Sequence, residues 1–589
     1  MPYATHRARY FIVALLVTWF GLMLLTRPAH GGWSADAVEV HATSALCPLV
    51  SACDDGSRGA IVVWQENTAS GGLLKARRVL AHGDLDPTWS APAAVSSQDA
   101  ARVAIGAVSD GAGGAYVWWM ENSALFLNHV GPTGAIATGW LARGRNVGSL
   151  PSSSHRPTAF SDGAGGIYLG WLVKNVFIFD SPTNIRIVHL GPAGTGAGGW
   201  PAGGRAYGTV GVDNPTVMGF AMDRASDGGL WLGWQTNQML AMGALLPGEV
   251  RAARLAPSGL GATGWTTSGI ALGPYSVEYR MQAGLAAVYP LAQSHVGVAA
   301  DGGDGAFVYH GQGAFDGSSV IFHDTLRHLD GAGATASGWA ESGLNLGDRY
   351  DWSSSFPADI SSIRALADAW GGVYFGQPYY ASEFTERLHF GHIALDGTCL
   401  PGGVGADQRG VEYAARGDGG MFIASFKPSG ATGPYELDAY IGVGQSDPGA
   451  SFFESQVSYY ATRYGDVGLT ATGDGGAIFA WSQAIDRHGV YAIRLNPTGR
   501  VTGVPPATIA HPLRAWFVRG AGVRVRGAGA AALALRIHDV SGREVARGET
   551  DGTIGEWTVP GTAELPSGVY FASAKLGGRE VNARVAVIR

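Results

Sequence analysis

Three stretches of the chain carry the side chains best suited to meeting a ligand. "GDRYDW" supplies Arg349, Tyr350, Asp351 and Trp352, "QPYYASEFTER" supplies Tyr379 and Tyr380, and "FFESQVSYYATRYGD" supplies Tyr459 and Tyr460. Aromatic faces interspersed with Arg and Asp suit flat amphipathic ligands such as sugars, and equally the patches that protein partners present. The same stretches hold Asp351, Glu383 and Glu454. A pair of carboxylates flanking a glycosidic bond is what glycan cleavage requires, but only the fold can bring such a pair together. No G-x-S-x-G, H-E-x-x-H or P-loop occurs, so the sequence offers no nucleophile elbow, zinc helix or nucleotide cradle. No catalytic residue, metal-ligand set or cofactor is therefore expected. The net charge of −7 comes without any Lys/Arg block, which disfavours a nucleic-acid partner.

What could position these stretches is a repeat. "SDGAGGAYVWW" (109–119) returns as "SDGAGGIYLGW" (161–171). Aligned on its last glycine, the phrase occurs at Gly59, Gly114, Gly166, Gly229, Gly305, Gly372, Gly420 and Gly476. Each glycine follows a short Asp-containing turn and precedes an apolar run such as "AIVVW" or "AIFAW". Runs apolar at successive positions are strands buried on both faces. Asp-Gly and Gly-Gly between two such runs mark a tight hairpin, because the turn needs positive φ. The phrase therefore reads as turn chemistry. Its Asp precedes Gly directly and the Thr of the sialidase Asp box is missing. "DGGDG" (301–305) has two carboxylates, few for a calcium ion that takes six to eight oxygens.

Each unit has a second half, as in "LNHVGPTGAIATGW" and "IVHLGPAGTGAGGW", which adds a third strand, a Pro/Gly turn and a fourth strand. His129, His189 and His328 recur at one place in it; spread around a ring they cannot share a metal, and exposed strand ends are the expected positions. Four strands per unit, eight units and faces covered by neighbours describe an all-β fold, a β-propeller of about eight four-stranded blades spanning 47–510. Seven blades is the alternative if one long unit absorbs a degenerate phrase. The repeats resemble the "DGxGGxxxxW … G … W" units of secreted bacterial propeller proteins, a likeness that implies the fold and no particular activity. In such a ring the loops after second and fourth strands share one face, so the aromatic stretches should gather there. The alternative is that these loops pack on each other as a cap.

The chain opens with "HRAR" (6–9) and a 16-residue apolar run, Tyr10 to Leu25, followed by small residues. That order is a secretory signal, expected to occupy 1–31, with the mature chain starting between Gly32 and Val38; the run is short of the roughly 20 residues that span a bilayer, and no span is expected after cleavage. "AHG" (29–31) and "ADA" (35–37) both fit a cleavage site. Segment 32–46 contains "AVEVHA", a candidate ring-closing strand. Cys47, Cys53 and Cys399 cannot all pair; Cys47–Cys53 would need a turn between them, and otherwise these are buried thiols.

After 510 the pattern changes to period-two strands with Gly turns. "IHDVSGREV" (537–545), Trp557 and "LPSGVYFASAKLGG" (565–578) are similar to the C-terminal Ig-like domains of secreted bacterial proteins, the FlgD-like or type IX secretion sorting class. The resemblance implies a small β-sandwich over 511–589 that engages export machinery or attaches the protein to the outer surface. The expected whole is a secreted or surface propeller that binds an extracellular glycan or protein ligand without catalysis. A glycan-cleaving hydrolase or lyase and a structural scaffold are the alternatives.

Overall fold

A computed structural model describes residues 33, 37–149, 156–174, 182–208, 215–239, 245–275, 296–315, 320–351, 364–367, 372–382, 385–400, 404–405, 409–415, 421–428, 435–442, 453–457, 467–483, 489–495, 514–518, 522–527, 534–539, 543–549, 555–576 and 579–587. Every regular element among them is a β-strand.

The protein is a β-propeller. Eight antiparallel sheets follow one another along the chain: blades 1 (49–94), 2 (104–149), 3 (158–207), 4 (215–275), 5 (296–351), 6 (364–405), 7 (409–457) and 8 (468–495). Blades 1 to 5 and 7 contain four strands in sequence order. In blade 6 the fourth place is shared by Cys399–Leu400 and Val404–Gly405, both paired to Thr385–Ile393. The first strands of successive blades stand side by side, and the first strand of blade 1 also stands beside that of blade 8, so the ring closes. Blade 8 supplies only three strands of its own. Its fourth is Val38–Ala42 from the start of the chain, antiparallel to Gly489–Leu495.

The core lies between blades rather than within them. One cluster joins Val63 and Leu74 of blade 1 to Ile105, Val117 and Trp119 of blade 2; others join blades 2 and 3, 3 and 4, and 4 and 5 in turn. This is why the second strands are apolar at successive positions: Ala60–Asn67 and Ala115–Glu121 are buried on both faces over six consecutive residues. Trp64, Trp119, Trp171, Trp234 and Trp481 all lie in the core.

A second set of tryptophans bolts blades 1 to 5 each to the next. Trp140 in blade 2 donates its Nε1–H to the carbonyl of Pro192 in blade 3 at 2.7 Å. Trp89, Trp200, Trp265 and Trp339 do the same to Pro132, Pro257, Gly331 and Leu395 of their following blades, at 2.7 to 3.0 Å. Each indole rests on a glycine with positive φ in the receiving turn. A Cβ at Gly194 would come within 3.1 Å of the Trp140 ring, and one at Gly259 within 2.6 Å of Trp200.

The tail forms a three-stranded sheet with Arg514–Val518 at its edge and a four-stranded sheet ending in Arg579–Val587. It has a core of its own, drawn from Val523, Leu535, Ile537, Tyr570, Ala572 and neighbours.

Candidate functional site

The residues with most chemical potential in the repeat are its aspartates and histidines, and the fold consumes them. Asp110 turns the chain between the first and second strands of blade 2. Its Oδ1 accepts the backbone N–H of Ala112 at 2.7 Å and of Gly114 at 2.9 Å, while Oδ2 meets His129 Nε2 at 2.8 Å. Gly111 and Gly113 take the positive φ values the turn needs. Gly114 follows because a Cβ there would come within 2.4 Å of both the Val130 carbonyl and the Asp110 carboxylate. Blades 3 and 5 repeat the arrangement with Asp162–His189 at 2.8 Å and Asp301–His328 at 2.9 Å. In blades 1, 4 and 8 an arginine fills the histidine's place: Arg78 on Asp55, Arg254 on Asp227 and Arg494 on Asp474.

The expected exposed position of the three histidines is corrected by this geometry. His129, His189 and His328 are only 7%, 6% and 5% exposed. Each ring stacks on an aromatic of the adjacent strand, Tyr116, Tyr168 or Phe307, at 3.9 to 4.2 Å between centroids. Trp140, Trp200 and Trp339 close over them edge-on. The histidine thus faces the turn it locks, not solvent. Burial works to raise the Asp110, Asp162 and Asp301 carboxyls, yet the hydrogen bonds from histidine and from the turn amides hold all three below the usual carboxylate range.

The titratable side chains of His310, Cys47 and Cys53 are also buried, outside this turn motif. His310 stands in blade 5 where five sister strands carry Trp. Neither ring nitrogen has a hydrogen-bond partner among the described residues, and burial, aided by the positive charge of Arg327, pushes it down to about 4. Cys47 and Cys53 are free, buried thiols. Cys53 lies in the extended strand Leu49–Asp54. Burial, with the charge of Glu66 adding to it, pushes Cys47 up to about 12, and burial raises Cys53 as well, so neither is a poised nucleophile. Among the described residues no three His, Cys, Asp or Glu side chains gather as a metal set.

The described residues of the aromatic stretches lie toward the other end of the blades. Arg349, Tyr350 and Asp351 are the last three residues of blade 5's fourth strand, Leu344–Asp351, opposite Phe322, Ile321 and Val320. Tyr379 and Tyr380 lie late in blade 6's second strand, Val373–Ser382, opposite Arg387 and Glu386. Antiparallel order carries both strand ends away from the Asp turns, and the two strands pack side by side. Glu454 sits in blade 7's fourth strand, Phe453–Val457, opposite Asp438. Trp352, Glu383, Tyr459 and Tyr460 lie outside the described residues. What sequence reasoning missed is the inter-blade tryptophan set. Its signal was the "GW" that closes four of the units.

No protein-family model matches the chain, and no curated protein matches it. Similar solved structures include a prolyl endopeptidase (12% identity, TM-score 0.35), aligned over 80% of this chain; the chain spans 58% of that enzyme's length. The polysaccharide lyase Uly1 aligns at 10% identity over 72% of this chain and 93% of its own, with TM-score 0.38. An aldose sugar dehydrogenase from Streptomyces coelicolor aligns at 11% identity over 58% of this chain and 91% of its own, with TM-score 0.24.

Proposed function

We propose that the propeller is a secreted or cell-surface binding module for an extracellular glycan or protein ligand, acting without catalysis. In this reading the tail is an Ig-like module for export or surface attachment. One observation carries the binding reading. The Asp, His and Arg side chains of the repeat are spent on locking turns at one end of the blades, whereas Arg349–Asp351 and Tyr379–Tyr380 sit on adjacent strands at the other end. A scaffold end opposite a variable end is how rigid β-folds carry function on their connections.

The test is a binding screen of the purified protein against a glycan panel and surface-protein extracts, repeated with the Tyr350→Ala/Tyr380→Ala double variant. Aromatic stacking contributes about 0.5–1.5 kcal/mol per contact beyond area burial. The variant should therefore bind roughly tenfold or more weakly, at about 1.4 kcal/mol per decade, with little change in melting temperature. A variant that melts several degrees lower while binding is unchanged would mean that these aromatics pack a cap. Release of new reducing ends from a panel glycan would instead favour the cleaving alternative.

A further inference from the structure

Trp33 occupies the place of a tryptophan that blade 8 lacks. Trp140, Trp200, Trp265 and Trp339 each stand five residues before the fourth strand of their own blade, which begins at Arg145, Arg205, Ile270 and Leu344. Trp33 stands five residues before Val38, the start of the strand that completes blade 8. It is fully buried and donates its Nε1–H to the carbonyl of Ala81 in blade 1 at 2.8 Å. That carbonyl also receives Arg494 Nη1 from blade 8 at 2.6 Å. The pairing is the one seen elsewhere in the ring, where the Pro192 carbonyl meets both Trp140 and His129, and the Gly331 carbonyl both Trp265 and Arg254. Gly83, with φ of 94°, makes room for Trp33 as Gly194 does for Trp140; a Cβ there would come within 2.9 Å of its backbone nitrogen. Ala37 packs against the cluster that holds Phe479, Trp481 and Tyr491 of blade 8. The tryptophan and fourth strand of the eighth unit are thus written at the start of the chain, with "GGW" (31–33) matching the "GGW" of 198–200.

We propose that the leader is cut on the N-terminal side of Trp33, after Ala29-His30-Gly31, and that the retained N-terminal segment stays in the ring as the outer strand of blade 8. This rests on the secretory reading of 1–31. In the cut a signal peptidase adds water across the Gly31–Gly32 peptide bond, leaving a carboxylate on Gly31 and an amine on Gly32. The alternative cut after "ADA" would discard Trp33 and leave Ala81 and the blade 8 to blade 1 seam without their indole.

N-terminal sequencing of the full chain exported by a bacterial host tests this. A start at Gly32 is expected. A start at Ser34 or later, on folded protein, overturns the inference while leaving the secretory reading intact. Intact Met1 on soluble cytoplasmic protein overturns the secretory reading and this inference with it. The clasp has its own readout in the exported protein. Trp33→Phe keeps the ring but loses the donor, and should lower the melting temperature by a degree or more. Trp33→Ala should lower it by about 5 °C or abolish soluble export. A Trp33→Ala protein that melts with the parent refutes retention for closure.

Discussion

At the residue scale the recurrent motif is a carboxylate that holds its own hairpin. Removing its partner leaves a buried acceptor short of a hydrogen bond, which costs about 1–3 kcal/mol. Urea titration of His189→Ala should report roughly 2 kcal/mol of destabilisation, and His189→Arg, the solution of blades 1, 4 and 8, should recover part of it. For the turn carboxylates the acid response has a definite sign. Asp110, Asp162, Asp301 and Asp474 all titrate below the ordinary value of 3.8 in the folded protein. Their stabilisation is complete above that value and is lost as pH falls below it, because the unfolded chain takes up protons first. His310 acts in a higher window. Its folded value of about 4 lies below the ordinary 6.5, so the unfolded state binds a proton that the folded state refuses between those two values. Stability should then fall from pH 6.5 toward 4, by about 3 kcal/mol at most. Melting temperature against pH for the parent and for His310→Trp checks this, since the parent should lose stability relative to the variant as pH falls from 6.5 to 4.

At the scale of the element, the strands and turns were legible because their causes are local. "AYVWW" is apolar at every position because its faces meet two different blades, and Asp-Gly-Gly marks a hairpin because positive φ and an amide acceptor are needed within a few residues. The histidines were misread for the opposite reason. His129 meets Asp110 and Tyr116 only through antiparallel registration, and the Asp-to-His separation shifts from 19 residues in blade 2 to 27 in blade 3 because the intervening hairpin differs in length. The role of the tryptophan set was illegible, although its "GW" recurs, because each indole acts on the following unit. The candidate site was least legible, since Arg349, Tyr350 and Tyr380 stand at strand ends whose connections follow no period. Substitution at the turn should be severe. Gly114→Ala places a Cβ within 2.4 Å of a carbonyl oxygen, and calorimetry should show destabilisation of about 2–4 kcal/mol, against roughly half a kcal/mol or less for an exposed control such as Leu141→Ala.

The whole molecule is a ring plus a tail, each with a separate core. A chain ending near residue 510 should therefore give the same main thermal transition as the full chain. Loss of soluble ring on truncation would mean that the tail supports it. The split eighth blade also bears on the order of synthesis. Val38–Ala42 leaves the ribosome before any blade, yet its partner strand Gly489–Leu495 is the last of the ring to be made; Glu39 and Tyr491, in hydrogen-bond contact, are 452 residues apart. The entropic toll of so long a closure rises only slowly with length, but the waiting time does not shorten, and contacts this remote slow folding. Throughout that interval every unfinished ring presents a free strand and a free sheet edge of matching sequence. Two chains held close together can exchange them, each sealing the other, so crowded refolding should yield interlocked dimers that dilution during refolding suppresses.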